Sequence, residues 1–284
     1  MEPVAPRSVS SLDGTPVMIR PRCKQIGFSL IELMAALAIS FALLGGLVQV
    51  FLSNKQNYLF GEGIARLQEN GRFALLLLGH GIRHAGFKNE FANQAGELFE
   101  KTLQLKGGIQ FSAGQIVAGI DDYDGSMGYA KGSDILLLRY QGALDGEMRN
   151  CLGSRIPVTE VNVESYFIRD NILYCQTNGS RTQPLVSGVE DLQVLYGIDD
   201  TDDNVIDAWM KAKDLNTISW KNIRTIRFAI LVSSINPIVT SPTKQQHELL
   251  PMGAVSTAGR VRSFEDRLRR RVLTSTIMLR NTMP

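Results

Sequence analysis

The sequence has little with which to do chemistry on a substrate. Three cysteines and three histidines are spread over 284 residues. His80 and His84 stand four apart, which puts both imidazoles on one helix face, but His247 is far along the chain, and Gly79 and Gly81 flank His80. A metal centre needs three or four convergent donors, so two helical surface histidines are expected. The Gly-x-Ser-x-Gly, His-Glu-x-x-His and Gly-x-x-x-x-Gly-Lys motifs are all missing, so hydrolytic and nucleotide-driven catalysis have no visible apparatus and no enzyme is expected.

Net charge is also scarce. Lys and Arg number 30 against 28 Asp and Glu. Arg7, Arg20, Arg22 and Lys24 set against Glu2 and Asp13 confine the excess of two to the first 27 residues, leaving the remainder neutral. Global electrostatics therefore offers no argument for nucleic acid as a partner. No internal repeat is present.

What the chain does have is one long apolar run. From Phe28 to Leu52 the only polar residues are Ser29, Glu32, Ser40 and Gln49. As a helix this stretch reaches roughly 37 Å, enough to cross a bilayer core with some tilt. Arg20, Arg22 and Lys24 beside it predict a cytoplasmic N-terminus, with everything after residue 53 across the inner membrane in the periplasm. In that oxidising compartment Cys23 falls before the span, and Cys151 and Cys175 remain as an even pair, most simply one disulfide that closes a loop and stabilises by about 3 kcal/mol. Two free buried thiols are the alternative.

Glu32 does not suit a plain anchor, because a carboxylate in hydrocarbon is costly without a cation. A cut between Gly27 and Phe28 would create one. The new α-amino group would lie four residues before Glu32, one helical turn away, or within reach of it from a neighbouring copy. A secretory signal peptide would have a shorter apolar core and no acid in it.

The stretch Lys24-Gln25-Ile26-Gly27-Phe28-Ser29-Leu30-Ile31-Glu32-Leu33 resembles the type III signal of type IV prepilins and type II secretion pseudopilins. That resemblance implies a prepilin peptidase that cuts after Gly27 and methylates Phe28, with Glu32 serving assembly. Residues 1–27 are then the leader, long for this signal, and Met18 is an alternative start. Major pilins often carry a proline where this chain has Gln49, so local melting of the span is expected at Gly45-Gly46 instead. Further on, Gln68-Glu69-Asn70-Gly71-Arg72-Phe73-Ala74-Leu75 and Arg83-His84-Ala85-Gly86-Phe87 are similar to the PilW family of minor pilins. This implies assembly with other minor pilins and the major pilin on the inner-membrane platform, in a priming or tip complex of a type IV pilus. The alternatives are a type II secretion pseudopilin, a pilus-tip adhesin or DNA-uptake subunit, and a membrane-anchored periplasmic enzyme.

Read from the residues, residues 28–52 form the membrane and assembly helix, which continues through 53–87 with an apolar face and with Gly61, Gly63 and Gly71 as weak points. Residues 88–284 form a β-rich head. Residues 88–133 read as irregular. Strands are predicted over Asp134–Tyr140, over Val163–Arg169 and Ile172–Gln176 as a hairpin around Asp170-Asn171, and over Val189–Gly197, Arg224–Ile235 and Val272–Leu279. A short helix is predicted over Asn204–Lys213, and a loop with three prolines from Asn236 to about Gly259. The fold class is α+β, a long N-terminal membrane-spanning helix packed on an antiparallel sheet.

Two charged runs remain. Asp200, Asp202, Asn204 and Asp207 have the alternate oxygen spacing of a calcium loop, although Val205 and Lys211 stand where an EF-hand wants Gly and Glu; the other reading is a solvated acidic turn. Arg260, Arg262, Arg267, Arg269, Arg270 and Arg271 against Glu265 and Asp266 make a basic patch. It is read either as a surface for DNA, an acidic pilin or phospholipid, or as a solvated strand edge.

Overall fold

A computed structural model describes residues 27–89, 99, 110–178, 181–216, 219–250 and 259–282. The leader, Met18, Cys23 and the Gly107-Gly108 turn signal lie outside the described residues, as does part of the proline-containing loop. The chain forms two compact units, Met1–Ser53 and Asn54–Pro284.

One helix, α1, runs from Leu30 to His84 without a break. Gly45-Gly46 does not interrupt it. Within the second unit, Leu67, Gly71, Ala74, Leu78 and Ile82 are buried, one stripe at helical spacing. Three glycines on this part of the helix are notches, while Gly61 faces open space. A Cβ on Gly63 would run into Ile238, one on Gly71 into Leu273, and one on Gly81 would lie 2.5 Å from the Tyr166 hydroxyl. Propensity alone cannot show this packing at Gly63 and Gly71, since the side chains arrive from other elements.

The stripe packs on antiparallel sheets. Strands β1 (Val117–Ile120), β2 (Ile135–Gln141), β3 (Val161–Arg169), β4 (Ile172–Thr177) and β5 (Arg181–Ser187) form a five-stranded sheet in chain order. Strands β6 (Val189–Ile198), β7 (Ala208–Met210), β8 (Ile223–Ser233) and β11 (Arg270–Met278) form a second, in the order β11-β8-β6-β7, while β9 (Thr243–Leu249) and β10 (Arg260–Asp266) make a separate ribbon. The β3–β4 hairpin turns where predicted, with Asp170 and Asn171 both at positive φ, the geometry a two-residue turn requires. One core joins Leu78 and Ile82 of the helix to Leu136, Tyr166, Ile168, Leu173, Leu192, Phe228 and Ile230. A second cluster under the ribbon holds Leu195, Leu231 and Leu249.

Three expectations fail. Residues 204–213 are no helix: β7 pairs Trp209 with Gly197 and Met210 with Tyr196, and a 3₁₀ turn follows at Ala212–Asp214. The absence of a side chain on Gly197 lets the Trp209 indole lie across it, and Arg227 stacks 4.1 Å from the indole centre on that strand edge. The loop after Asn236 contains β9, whose inward positions include Gln245 and His247; with polar residues on both faces it gives no hydrophobic alternation to read. Strand β1 escaped because only its first half is buried, and β5 because it is an exposed edge carrying Pro184.

Candidate functional site

The residues proposed from sequence to matter most open the helix. Ser29 O accepts the N–H groups of Glu32 and Leu33 at 3.1 Å each, which starts α1 just after Gly27 and Phe28. Glu32 lies in the first turn, where a negative charge suits the exposed N–H groups of the helix end. Every residue from Gly27 through Gly61 is exposed, Phe28 at 85% and Phe41 at 70%. The helix is long and apolar enough to cross a membrane. An apolar rod of this size needs a nonaqueous surrounding, either lipid or other helices. Within the apolar run, Ser40 Oγ donates to Ala36 O at 2.8 Å, which satisfies the serine without any outside partner.

In the head, Cys151 and Cys175 are joined as a disulfide. The bond sits beside a buried carboxylate that sequence reasoning passed over. Glu164 of β3, 1% exposed, accepts from Tyr140 Oη at 2.5 Å, Tyr166 Oη at 2.7 Å, Cys151 N at 2.6 Å and Asn162 Nδ2 at 3.4 Å. Burial first, then the Glu164 charge, pushes both tyrosine hydroxyls far above their ordinary pKa, so they remain donors at every working pH. The two sulfurs and Glu164 lie within 4.8 Å of one another, but the sulfurs are bonded to each other and do not act as thiolate ligands. The only signal available in the sequence was an acid at an inward position of an otherwise apolar strand.

The acidic run is held by the protein's own groups. Asp207 Oδ2 accepts the backbone N–H of Asp200 at 2.8 Å and of Thr201 at 3.1 Å. Asp202 pairs with Arg224 at 2.6 Å, and Asn222 Nδ2 donates to Asp200. Asp199, 2% exposed, accepts from Asn204 N at 2.9 Å and Asp203 N at 3.2 Å; desolvation pushes its pKa up, but these donors and Arg224 hold it below the ordinary value. Among the described residues, no three carboxylates of this run converge within 4.8 Å, so the calcium set Asp200, Asp202, Asn204 and Asp207 is not gathered into a cage. Arg224 and the backbone relieve the repulsion that made a cation attractive.

The basic patch divides. Arg270 is 3% exposed in its side chain and pairs with Glu190 at 2.7 Å and Asp266 at 2.7 Å, under the ring of Phe264. It is a core ion pair, which corrects its place on a partner surface. Arg262 donates to the fully buried Asp191 at 2.8 Å, and Arg260 Nε lies 2.9 Å from the same oxygen as a charge contact without hydrogen-bond geometry. These three arginines tie β10 and β11 to β6. Arg267 and Arg271 stay exposed and Arg269 is half-buried. The histidine pair also differs from expectation. His80 is exposed, but His84 is turned against the ring of Tyr140 at 5.4 Å, and burial together with His80 lowers its pKa to about 4.

Residues 161–281 match the family model described as Type IV Pilus-assembly protein W (PilW), and residues 22–48 match the Prokaryotic N-terminal methylation motif. Residues 161–281 thus form a PilW-family domain, behind a prepilin-type methylation motif. The methylation motif covers Gly27, Phe28 and Glu32, and the PilW match runs from β3 to the end of β11, thus over the second sheet and the ribbon. Among solved structures, a type IV-like pilin from Thermus thermophilus is similar at 13% identity and a TM-score of 0.44, over 77% of this chain and 98% of that one. At that score the weight rests on the two sequence matches. No curated protein matches the chain. A PilW-family domain behind a methylation motif and an apolar helix makes this a membrane-anchored, pilus-related pilin of structural type.

Proposed function

We propose that the protein is a minor pilin that takes part in initiating a type IV pilus, in a priming or tip complex with other minor pilins. The observation that carries this reading is the exposed apolar rod with Glu32 in its first turn, set directly behind Gly27-Phe28. The chain waits in the inner membrane with its head in the periplasm. Prepilin peptidase cuts after Gly27 and methylates Phe28, and the new amine meets Glu32 of the same or a neighbouring subunit. A neutralised pair can then be buried in a bundle, where an isolated carboxylate could not. Specific register follows, because only one axial offset brings amine and carboxylate together.

The head fits a structural role. Its buried charges, Glu190, Asp191 and Asp199, each have an arginine of the chain beside them, and Glu164 is satisfied by tyrosines and backbone. Replacing Glu32 with Ala tests the proposal. Processing should remain intact, while pilus number per cell falls at least several-fold; unchanged piliation contradicts it.

A further inference from the structure

Three guanidinium groups of the head, those of Arg267, Arg269 and Arg271, have no carboxylate within 4.0 Å among the described residues. Asp266 and Glu265, the acids nearest to them in sequence, are already engaged, as is Glu62 of the helix. Asp266 is held by Arg270, Glu265 lies 3.9 Å from Lys244, and Glu62 pairs with Arg66 at 2.5 Å.

Their position in the head is fixed by backbone contacts. Arg267 O accepts the N–H of Ile238 at 3.0 Å and of Val239 at 3.3 Å, and Ile238 is the residue that fills the notch at Gly63. Arg269 O accepts from Ser234 N at 2.8 Å. Arg271 shares a strand face with Leu273, which fills the notch at Gly71, and with Ile277, which lies against Gly79. The strand therefore runs along the helix with its arginine end towards Gly63. Gly63 is nine residues, roughly 14 Å of helix, past Asn54. The other end of the head is marked by Asn281 Nδ2, which donates to Ala85 O at 3.0 Å, with exposed Arg280 next to it. Arg267, Arg269 and Arg271 thus lie at the end of the head nearest its first residue, Asn54.

We infer that Arg267, Arg269 and Arg271 bind the phosphates of anionic lipid headgroups, holding the head against the membrane surface before assembly. This rests on the membrane-anchored reading and adds to it a lipid preference. Guanidinium matches phosphate with paired N–H donors, and clustered basic side chains near a bilayer are drawn to anionic lipid over a distance set by screening. A headgroup layer about 6 Å deep on each side of the hydrocarbon brings the phosphates towards this end of the head. An acidic partner protein is the rival occupant. Lipid is favoured by place, since these groups stand at the end of the head nearest its first residue, Asn54.

The test uses the full chain in nanodiscs of phosphatidylcholine alone or with phosphatidylglycerol. Phenylglyoxal modification of each arginine is followed by mass spectrometry, and Arg280 serves as internal reference. Modification of Arg267, Arg269 and Arg271 should slow at least about threefold in the anionic discs, with Arg280 unchanged and the difference lost in high salt. Equal rates in both discs overturn the proposal, as does equal slowing at Arg280. Protection that arises only on adding another pilin also overturns it, in favour of a protein partner. If the chain fails to enter either disc, the membrane-anchored reading itself fails, an outcome separate from the lipid preference.

Discussion

The two halves of α1 both carry leucines and glycines, and these meet opposite fates. In residues 30–53, Leu, Ile and Phe side chains are exposed, a methyl group added at Gly45 or Gly46 would meet nothing within 4 Å, and Glu32 has no cation of the chain within 4.0 Å among the described residues. In residues 54–84, Leu67, Leu78 and Ile82 are buried, glycines at 63, 71, 79 and 81 abut other side chains, and Arg270 of the strand behind them pairs with Glu190 of the same chain. The first half is complementary to something outside the chain and the second to the chain's own sheets. That contrast separates residues that serve assembly from residues that serve folding.

Changes on the folding side should lower head stability and leave processing untouched. The largest effect belongs to Arg270→Ala, which strands Glu190 in the core: a loss of about 3–5 kcal/mol, on the order of 10 °C in melting temperature. Near-UV circular dichroism of the purified full chain in detergent reads it, and no such loss should follow Glu32→Ala. Reducing the Cys151–Cys175 disulfide should remove about 3 kcal/mol by freeing the loop in the unfolded chain, seen as a lower melting temperature in dithiothreitol that is absent in Cys151→Ser/Cys175→Ser.

The glycines sharpen the contrast further. Gly71→Val pushes against Leu273 and should cost about 1–3 kcal/mol of head stability, whereas Gly45→Val should leave the head's melting unchanged. Equal effects at the two positions would erase the distinction. The last effect is a slope. Burial, and then the nearby Asp121 charge against the N–H donors of Asp122 and Val194, raises the pKa of Asp134 to about 8 from 3.8. The folded head then keeps a proton that the unfolded chain releases. This group's contribution is fully present below the unfolded value and is lost as pH rises towards about 8. Melting temperature of the native chain should therefore fall between pH 5 and pH 8 more steeply than that of Asp134→Asn.

How much of this was legible in the sequence follows the same divide. The span, the processing motif, the disulfide pair and the central strands were readable because each leaves a local mark: an apolar run, an acid within it, cysteine parity, alternation. The glycine notches, the Glu164 pocket and the burial of Arg270 were not, since each depends on a residue far away in the chain. Arg270 and Glu190 are eighty positions apart, and no spacing rule connects them. The pairing of the acidic run was equally hidden, because Arg224 sits twenty-two residues beyond Asp202. Strand β9 stayed hidden because Gln245 faces inward to donate to Leu268 O at 2.6 Å, a polar residue at a position where an apolar one would have shown the pattern.

The claim on which the rest turns is that the exposed half of the helix is completed by a cut that gives Glu32 its counter-charge. Mass spectrometry of the N-terminal peptide from membrane-extracted protein tests it most directly. The account predicts a chain that begins at Phe28 with a methylated amine; a peptide that still joins Gly27 to Phe28 in the mature protein contradicts it.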